Sequence, residues 1–563
     1  MKKVLLVFAF LCTLTISAKQ KKQDKLTLVE YSTPDKETTD QASICLLYQD
    51  NLAMIFQQTT DQKLNPEVAK ETSFINFKDS VYIAKAVLKE NKMIYVSSPL
   101  DKYYSFELTD KYEEILGYHC RKATKVSFSN RVDVWFTTDV EAKGSPLPTY
   151  GLTDGLIMRI VRNGNTVLVA TAIKKLKQNE APSMDFSHLG ELVTSNQYRY
   201  LVQENCITRV PIFEDEQVAW KGIKEDCKER TLDRIYRLNS GTLLLKKIKL
   251  PKVTKDYMVF LKVTQYSNGD AYDRTGTVFL IPNEKKLSAL DAFMGEKETT
   301  LPVTLDNEGN EMRGITSTQN YDCPIELMRF FTPFGIREYN DKVSIPNLKW
   351  RNQAIYKQDI THLLPRLRGE VWIAATVENY DKGGHKLTVE LQYYPTERQQ
   401  QDTVMTQYVQ PLFNNAARIP GQGGNDIFAH DSLRCQFSIP ENVKNLKMMY
   451  LTTGHGGWGG GDEFNQKANT IAVDGEKVFV CVPWRTDCAT YRELNPASGT
   501  SWSGVTSSDY SRSNWAPGTT TNPIVVPLPD LKAGNHTMTV SIPQGPKGCA
   551  WNVSGVLIGE YDN

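Results

Sequence analysis

The sequence predicts an all-β protein made of several sandwich or barrel domains. Short segments rich in Val, Ile, Tyr and Phe recur along the chain, and turns containing Asn, Asp, Gly and Pro separate them. The clearest segments are 93–96, 132–137, 257–263, 276–281 and 387–394. This spacing is typical of β-sandwiches and barrels. Helical signal is confined to two short stretches, near residues 214–235 and 359–364.

Length and composition allow several hydrophobic cores but favour no charged partner. The chain has 563 residues, of which 40% are hydrophobic and 10% aromatic, so we expect three or four domains. Its 66 Lys and Arg residues nearly balance 65 Asp and Glu residues. Since no long-range field would attract nucleic acid or an anionic membrane, we expect neither as a partner. We also expect a monomer.

The N-terminus resembles a secretory signal peptide over residues 1–18. Two lysines precede an apolar run at 4–16, and the small residues Ser17 and Ala18 follow it. The run is too short to span a membrane, and no other stretch reaches that length. We therefore expect an exported protein that is periplasmic, displayed on the outer surface or secreted.

Cysteine and histidine patterns give no indication of a metal or a cofactor. Nine of the ten cysteines follow the signal peptide, and Cys481 lies close enough in sequence to Cys488, or Cys206 to Cys227, for a disulfide. The chain contains no CxxC or HExxH motif, and its seven histidines are scattered. The sequence therefore predicts no metal and no cofactor.

Two changes in composition suggest domain boundaries. Charge density rises and strand alternation fades over residues 205–234, and a polar run, PTERQQQD, occupies 395–402. We therefore predict an N-terminal β domain at 19–228, followed by domains at 229–396 and 397–563.

A glycine-rich segment in the last predicted domain suggests a binding surface. Six glycines at 454–461 surround Trp458 and run into Glu463 and Phe464. Glycine lets the backbone approach a ligand closely, and flat aromatic faces beside a carboxylate suit a sugar ring. The segment also contains a GxGxxG pattern, but a strand follows it instead of the helix that dinucleotide binding needs. The alternative interpretation is ordinary packing at a sandwich corner.

Several motifs follow one another in order over the C-terminal part, residues 229–563. They are MVFLKVTQYSNGDAYDRTGTVFL at 258–280, RFFTPF at 329–334, the segments 359–364 and 372–389, the loop and strand at 462–473, and NWAP at 514–517. Together they resemble the peptide:N-glycosidase F family. The resemblance implies two adjacent eight-stranded jelly rolls preceded by an extra N-terminal β domain. It also implies an amidase that hydrolyses the asparagine side-chain amide of N-linked glycoproteins or glycopeptides, releasing the intact glycan and leaving aspartate.

The resemblance also assigns candidate site residues. The family's essential aspartate falls on Asp273, and its two supporting glutamates fall on Glu378 and Glu463. On this hypothesis Asp273 is the main acid/base, the glutamates position water and the first sugars, and Arg274 holds or neutralises Asp273. The candidate substrate-binding residues are Arg274, Tyr272, Tyr380, Trp458, Phe464 and Trp515.

Departures from the family pattern leave two alternative functions open. The Asp-Arg and Trp-Cys pairs that follow NWAP in the family are replaced here by 518–519 and 522–523, so Arg512 or Arg485 would have to supply the missing cation. One alternative is a glycoside hydrolase acting on N-glycans through paired carboxylates. The other is a non-catalytic glycan-binding protein of the same fold.

Two motifs stand out in the predicted N-terminal domain, LGYHCRKAT at 116–124 and YGLTDGLI at 150–157. They show a weaker resemblance to the GLPGLI family of exported β proteins. This resemblance implies no defined activity.

Overall fold

A computed structural model describes most of the chain, which forms two compact units, Met1–Cys206 and Ile207–Asn563. The described residues are 26–33, 43–58, 68–184, 187–222, 229–253, 257–295, 300–305, 309–395, 407–417, 419, 427–429, 431–499 and 504–562. The signal peptide predicted at 1–18 lies outside them.

The first unit is built on one twelve-stranded sheet. Its strands are β1 (Leu26–Ser32), β2 (Ser43–Gln49), β3 (Leu52–Gln58), β4 (Lys70–Asn76), β5 (Val81–Val87), β6 (Met93–Pro99), β7 (Glu107–Ile115), β8 (Tyr118–Ser127), β9 (Asn130–Thr137), β10 (Leu156–Arg162), β11 (Asn165–Leu176) and β12 (Glu191–Leu192). Their order in the sheet is β12-β6-β5-β4-β3-β2-β1-β11-β10-β9-β8-β7. Neighbouring strands are antiparallel except β12, which is parallel to β6.

Both faces of this sheet carry core residues. Along β1, Val29 and Tyr31 belong to one buried cluster, whereas Leu26 and Leu28 belong to another. This alternation follows from the two-residue period of a strand. The unit also contains helix α1 (Ser195–Asn205), whose first turn is capped reciprocally by the side chain of Thr194 and that of Gln197.

The second unit contains the remaining strands and one short α-helix. They are β13 (Thr208–Val218), β14 (Ile235–Leu238), β15 (Leu243–Leu250), β16 (Tyr257–Ser267), β17 (Thr275–Ile281), β18 (Leu287–Ser288), α2 (Ala289–Phe293), β19 (Val303–Leu305), β20 (Glu311–Arg313), β21 (Tyr321–Asp322), β22 (Ile325–Phe331), β23 (Ala354–Asp359), β24 (Gly369–Val377), β25 (His385–Pro395), β26 (Gln407–Asn414), β27 (Leu433–Ile439), β28 (Val443–His455), β29 (Asn469–Val473), β30 (Glu476–Cys481), β31 (Thr520–Thr521), β32 (Ile524–Pro527), β33 (Gly534–Ser541) and β34 (Ala550–Tyr561). Short 3₁₀ helices in the two units lie at Lys89–Asn91, Asp101–Tyr103, Pro148–Tyr150, Gln178–Glu180, Thr361–Arg366, Ile427–Ala429, Cys488–Leu494 and Ser507–Asp509.

The first sandwich of this unit packs a sheet of order β13-β25-β16-β23 against one of order β14-β15-β24-β17-β22-β31. Strand β16 shows why these segments form strands, because Val259, Leu261 and Val263 are fully buried in the shared core and alternate with more exposed residues. Eight of the ten strands come from 229–395. Strand β13 joins from before that range, and β31 joins from the C-terminal part of the chain.

The second sandwich packs β26-β34-β28-β32 against β27-β33-β29-β30. In β27, Leu433, Cys435, Phe437 and Ile439 are buried while the residues between them are exposed. The long strands β28 and β34 pair over most of their length. The site described below lies where the loops of this sandwich meet the first.

A buried ion pair joins the two sandwiches. Arg329 of β22 has no exposed surface, and its guanidinium pairs bidentately with Glu326 at 2.8 and 2.6 Å. The same guanidinium donates hydrogen bonds to Thr453 Oγ1 at 3.0 Å and to the carbonyl of Asn552 at 2.7 Å. Ser554 Oγ donates to Glu326 at 2.5 Å. Because Arg329 and Glu326 pair with each other and make further hydrogen bonds, neither charge is buried without a partner.

The structure confirms the all-β fold class and corrects several details. The stretch predicted to be helical near 214–235 begins within strand β13, and 359–364 runs from the last residue of β23 into a 3₁₀ helix. The two units divide at Cys206, and β13 pairs with β25 in the second unit. The domain boundaries at 228 and 396 stay predictions.

Two other expectations concern disulfides and membranes. Cys481 and Cys488 are both free thiols, so the disulfide that their spacing allowed is not formed. Cys227 lies outside the described residues. Across the described ranges, the helices are too short or too polar to cross a membrane.

Candidate active site

Asp273 lies at the edge of the first sandwich, just before β17. Its position is fixed by the next residue, since the Arg274 backbone N–H donates to Thr332 Oγ1 at 2.8 Å and its carbonyl accepts from the Thr332 N–H at 2.9 Å. At the same edge, the Glu378 N–H donates to the carbonyl of Thr275 at 3.1 Å. The adjacent strands β17 and β24 therefore place Asp273 and Glu378 at one end of the sheet, with Glu378 exposed.

Glu463 lies in the glycine-rich loop between β28 and β29. Internal hydrogen bonds fold this loop, among them Gly461 N–H to the Trp458 carbonyl at 2.8 Å. The Glu463 carbonyl accepts a hydrogen bond from the Ser513 N–H at 2.9 Å, which ties the loop to the segment preceding NWAP. A Cβ on Gly457 would lie 3.2 Å from Glu463 Oε2, so glycine leaves room for this carboxylate.

Arg512 joins the two carboxylates. Its Nε donates to Glu463 Oε1 at 2.9 Å, and its Nη2 donates to Asp273 Oδ2 at 3.3 Å. One guanidinium therefore brings together an acid from each sandwich. Because an arginine presents several donors in a fixed plane, it also sets how the two carboxylates face each other.

The surroundings of Arg512 hold its side chain in place. Only 2% of the side chain is exposed, and its Nη1 donates to the Ser507 carbonyl at 2.9 Å. The guanidinium carbon lies 4.6 Å from the centre of the Trp515 ring and 5.2 Å from that of Phe464. Its backbone forms an antiparallel bridge with Arg485. The cation is therefore positioned before any substrate binds.

Burial raises the pKa values of both acids, Glu463 and Asp273. The pKa of Glu463 is raised to about 7, mainly by burial and to a smaller extent by the negative charge of Asp273, while Arg512 opposes the rise. Burial likewise raises the pKa of Asp273, with Arg512 again opposing the change. Two neighbouring carboxyl groups with raised pKa values in a partly closed site are typical of acid/base catalysis. Because they share one cation, they titrate as a coupled pair.

Arg274 does not pair with Asp273 as expected. Its guanidinium instead binds Asp270, with Nε donating to Oδ2 at 2.7 Å and Nη2 donating to Oδ1 at 3.3 Å. His385 Nε2 lies 3.5 Å from the same Asp270 oxygen, Oδ2. The Arg274 guanidinium also lies over the Tyr272 ring. Arg512, and not Arg274, thus makes the hydrogen bond that holds Asp273, while the nearby charge of Arg274 still acts to lower the pKa of Asp273.

The candidate aromatic residues fall into two groups. Tyr272, Tyr380 and Trp458 are exposed, and Phe464 is partly buried with its ring 5.8 Å from that of Tyr510. Trp515 is only 4% exposed. It stacks on Phe331 at 4.4 Å and donates from Nε1 to the Gly454 carbonyl. Trp515 is therefore almost inaccessible to solvent and packs against the Arg512 guanidinium, and its assignment as a substrate-binding residue stays a prediction.

Three family models match the chain. "Peptide-N-glycosidase F, N terminal" matches residues 209–393, "Peptide-N-glycosidase F, C terminal" matches 424–558, and "N-glycanase peptide, N-terminal domain" matches 29–199. A crystal structure of PNGF-II in space group P21 is 36% identical and has a TM-score of 0.82, covering 95% of this chain and 100% of that chain. The chain belongs to the peptide-N-glycosidase F family.

Other solved structures of this family are also similar. PNGF-II in space group C2 is 36% identical, covers 96% of this chain and 99% of that chain, and has a TM-score of 0.76. PNGase F from Flavobacterium meningosepticum is 15% identical, covers 63% of this chain and 96% of that chain, and has a TM-score of 0.43. No curated protein sequence matches the chain. The N-terminal unit thus matches an N-glycanase domain, and its resemblance to GLPGLI proteins stays a prediction.

In this member of the peptide-N-glycosidase F family, the sequence narrowed the cation beside the two carboxylates to Arg512 or Arg485. The structure places Arg512 there. Arg485 makes other contacts, because it pairs with Asp487 and donates to Thr519 and to the Tyr491 hydroxyl. Nothing in the local sequence distinguishes the two arginines. Among the described residues, no group of three or more His, Cys, Asp or Glu side chains could hold a metal ion.

Proposed function

We propose that Asp273, Glu463 and Arg512 form the catalytic centre with which this chain hydrolyses the side-chain amide of glycosylated asparagine. As a member of its family the protein is a peptide-N-glycosidase, a hydrolase of the asparagine–glycan C–N bond. The observation that carries the assignment is the single buried guanidinium that contacts one acid from each sandwich. The raised pKa values of both acids support the same assignment.

The reaction begins with a water held between the two carboxylates. Asp273 takes a proton from this water as it attacks the amide carbonyl carbon. Ionised Glu463 accepts a hydrogen bond from the other O–H of the water, without taking its proton, and so fixes the direction of attack. The carbonyl oxygen becomes negatively charged, and the adjacent positive charge of Arg512 stabilises it in a site that excludes most bulk water.

The tetrahedral intermediate then collapses with loss of the amide nitrogen. Asp273 returns its proton to that nitrogen, which leaves as a glycosylamine. The peptide keeps the carboxyl group and now carries aspartate. Asp273 thus acts first as base and then as acid, and the enzyme ends in its starting protonation state.

Glu378 and the exposed aromatic residues are proposed to bind the glycan. Glu378 shares a sheet edge with Asp273, so its carboxylate can accept hydrogen bonds from sugar hydroxyls near the amide. Tyr272, Tyr380 and Trp458 present ring faces to solvent around the site, and Phe464 lines it beside Arg512. Arg274, paired with Asp270, stiffens the strand end that carries Asp273.

The proposed substrate fits an exported enzyme. The signal-peptide pattern at 1–18 supports export, and N-linked glycoproteins or glycopeptides would then be met in the periplasm, at the outer surface or outside the cell. We propose that the enzyme acts there as a monomer.

Mass spectrometry of a defined N-glycopeptide tests the assignment. The wild type should release the whole glycan and convert asparagine to aspartate, whereas Asp273→Asn should leave the glycopeptide intact. Asp474→Asn is the matched control, since Asp474 is an exposed surface residue paired with His536. A single sugar left on asparagine would mean glycosidic cleavage, and binding with no cleavage would favour a glycan-binding protein. Full activity in Asp273→Asn would refute the role of Asp273.

A further inference from the structure

Two exposed aromatic side chains contact each other near the sheet edge that carries Glu378. Trp220 lies in the segment after β13, and Tyr380 follows β24. Their ring centres are 5.8 Å apart with an interplanar angle of 52°. Trp220 is nevertheless 40% exposed and Tyr380 is 79% exposed. Large aromatic rings that contact one another yet remain open to solvent are typical of ligand-binding surfaces.

Backbone hydrogen bonds fix the segments that carry this pair. The Trp220 N–H donates to the Asp381 carbonyl at 2.9 Å. Asp381 Oδ1 in turn accepts from the N–H groups of Gly383 and Gly384, each at 2.7 Å. The buried Asn379 side chain donates to the Val377 carbonyl at 2.9 Å. The backbone that carries the two rings is therefore ordered without a ligand, so binding would order little of the main chain.

The pair lies on the opposite side of β24 from β17, because β15 and β17 flank β24 and the Lys221 N–H donates to the Ser240 carbonyl in the turn between β14 and β15 at 2.8 Å. Asp273 precedes β17, and Glu378 follows β24 on the adjacent strand, which lies about 4.8 Å away in a sheet. Tyr380 comes two residues after Glu378, and Trp220 contacts its ring. The order from the reacting amide is thus Asp273, Glu378, Tyr380 and Trp220, a direction that a chain of linked sugars could follow.

We propose that Trp220 and Tyr380 form an aromatic platform on which a sugar of the bound glycan stacks, beyond the two sugars next to asparagine. This proposal rests on the proposed function, because it extends the same substrate site. A pyranose ring presents C–H groups on one face that pack on aromatic rings, and its rim hydroxyls can reach the Glu378 carboxylate. Trp220 is thereby a binding residue for the outer part of the glycan, and it makes the enzyme favour extended glycans over truncated ones.

Calorimetric titration with free oligosaccharides tests the platform without requiring hydrolysis. The probes are a reducing high-mannose N-glycan and chitobiose, which contains only the two innermost sugars. Because a few aromatic contacts commonly carry most of the binding energy, Trp220→Ala should bind the high-mannose glycan on the order of tenfold more weakly, which corresponds to about 1.4 kcal/mol. Its affinity for chitobiose should not change. Trp220→Phe should bind the high-mannose glycan with an affinity between those of the wild type and the alanine variant.

Tyr200→Ala is the matched control, because Tyr200 is 61% exposed on helix α1 of the other unit. It should bind both probes like the wild type, and thermal melting should show that all variants are folded. Wild-type affinity of Trp220→Ala for the high-mannose glycan would overturn the proposal, as would failure of the wild type to bind that glycan. Equal losses for both probes would place the platform at the inner sugars and also contradict it.

The titration separates this proposal from the proposed function. Glycan binding that depends on Trp220, found together with no release of glycan from glycopeptides, would retain the platform and reject the amidase. If hydrolysis requires Asp273 but Trp220→Ala binds the glycan like the wild type, the amidase is retained and the platform is rejected.

Discussion

Lowering the pH should switch the enzyme off near neutrality through Glu463. Burial and the charge of Asp273 raise the pKa of Glu463 to about 7, so this carboxyl takes up a proton well above the pH at which an exposed glutamate would. A protonated Glu463 loses its charge-assisted contact with Arg512 and no longer fixes the attacking water. With a pKa of about 7 only about one tenth of the molecules are ionised at pH 6 and about one hundredth at pH 5. Because Asp273 must also be ionised to act as the base, we expect kcat/KM to fall at least about tenfold at pH 6 and at least about a hundredfold at pH 5, relative to its plateau.

The assay is glycan release from a defined glycopeptide between pH 5 and pH 9 at constant ionic strength. The profile of kcat/KM reports ionisations of the free enzyme, which is the state that the structure describes. Because Arg512 lowers the pKa of Glu463 and that of Asp273, Arg512→Gln should move the midpoint to higher pH and reduce the plateau. Arg434→Gln removes an exposed arginine paired with Asp431 and should leave the profile unchanged.

Either of two results would refute this reasoning. A midpoint near 4.5 in the wild type would show that Glu463 titrates like an exposed glutamate. A profile of Arg512→Gln with the wild-type midpoint would show that the guanidinium does not control the ionisation of the pair.

Two further variants test the packing around the site. Arg329→Met leaves Glu326 buried without a counter-charge, so the free energy of unfolding, measured in urea, should fall by about 3–5 kcal/mol. The control Arg434→Met, at the surface, should change the free energy of unfolding by less than about 0.5 kcal/mol. Gly457→Ala places a methyl group 3.2 Å from Glu463 Oε2 and should lower kcat with little change in stability, whereas Gly459→Ala, which meets no atom within 4 Å, should behave like the wild type. Equal stability in the two arginine variants, or equal kcat in the two glycine variants, would contradict these assignments.

The fold class followed from local patterns that the structure retains. The predicted strand at 257–263 lies inside β16, where buried Val259, Leu261 and Val263 keep the two-residue alternation. Helix α1 was missed because its polar sequence has little amphipathic pattern, and its start depends on the side chains of Thr194 and Gln197. Local patterns do not predict the end of the first unit, because pairing between β13 and β25 joins residues far apart in sequence.

The sequence predicted the acidic residues of the candidate site but not the contacts that connect them. The motifs around Asp273 and Glu463 resembled a known family, and the structure brings these two carboxylates onto one arginine. The choice of Arg512 over Arg485 depends on which guanidinium turns towards the acids, and sequence does not encode that locally. The sequence also does not determine the role of Trp515, because an aromatic residue in a polar segment can either stack on a ligand or anchor a loop.

Hydrolysis in ¹⁸O-labelled water measures directly which bond the Asp273 and Glu463 pair cleaves. A glycopeptide incubated with the wild type should give a peptide whose new aspartate carries one ¹⁸O atom, and Asp273→Asn should incorporate none. Peptide that keeps asparagine with a sugar attached, together with ¹⁸O at the reducing end of the released glycan, would show glycosidic cleavage and contradict the proposed amide hydrolysis.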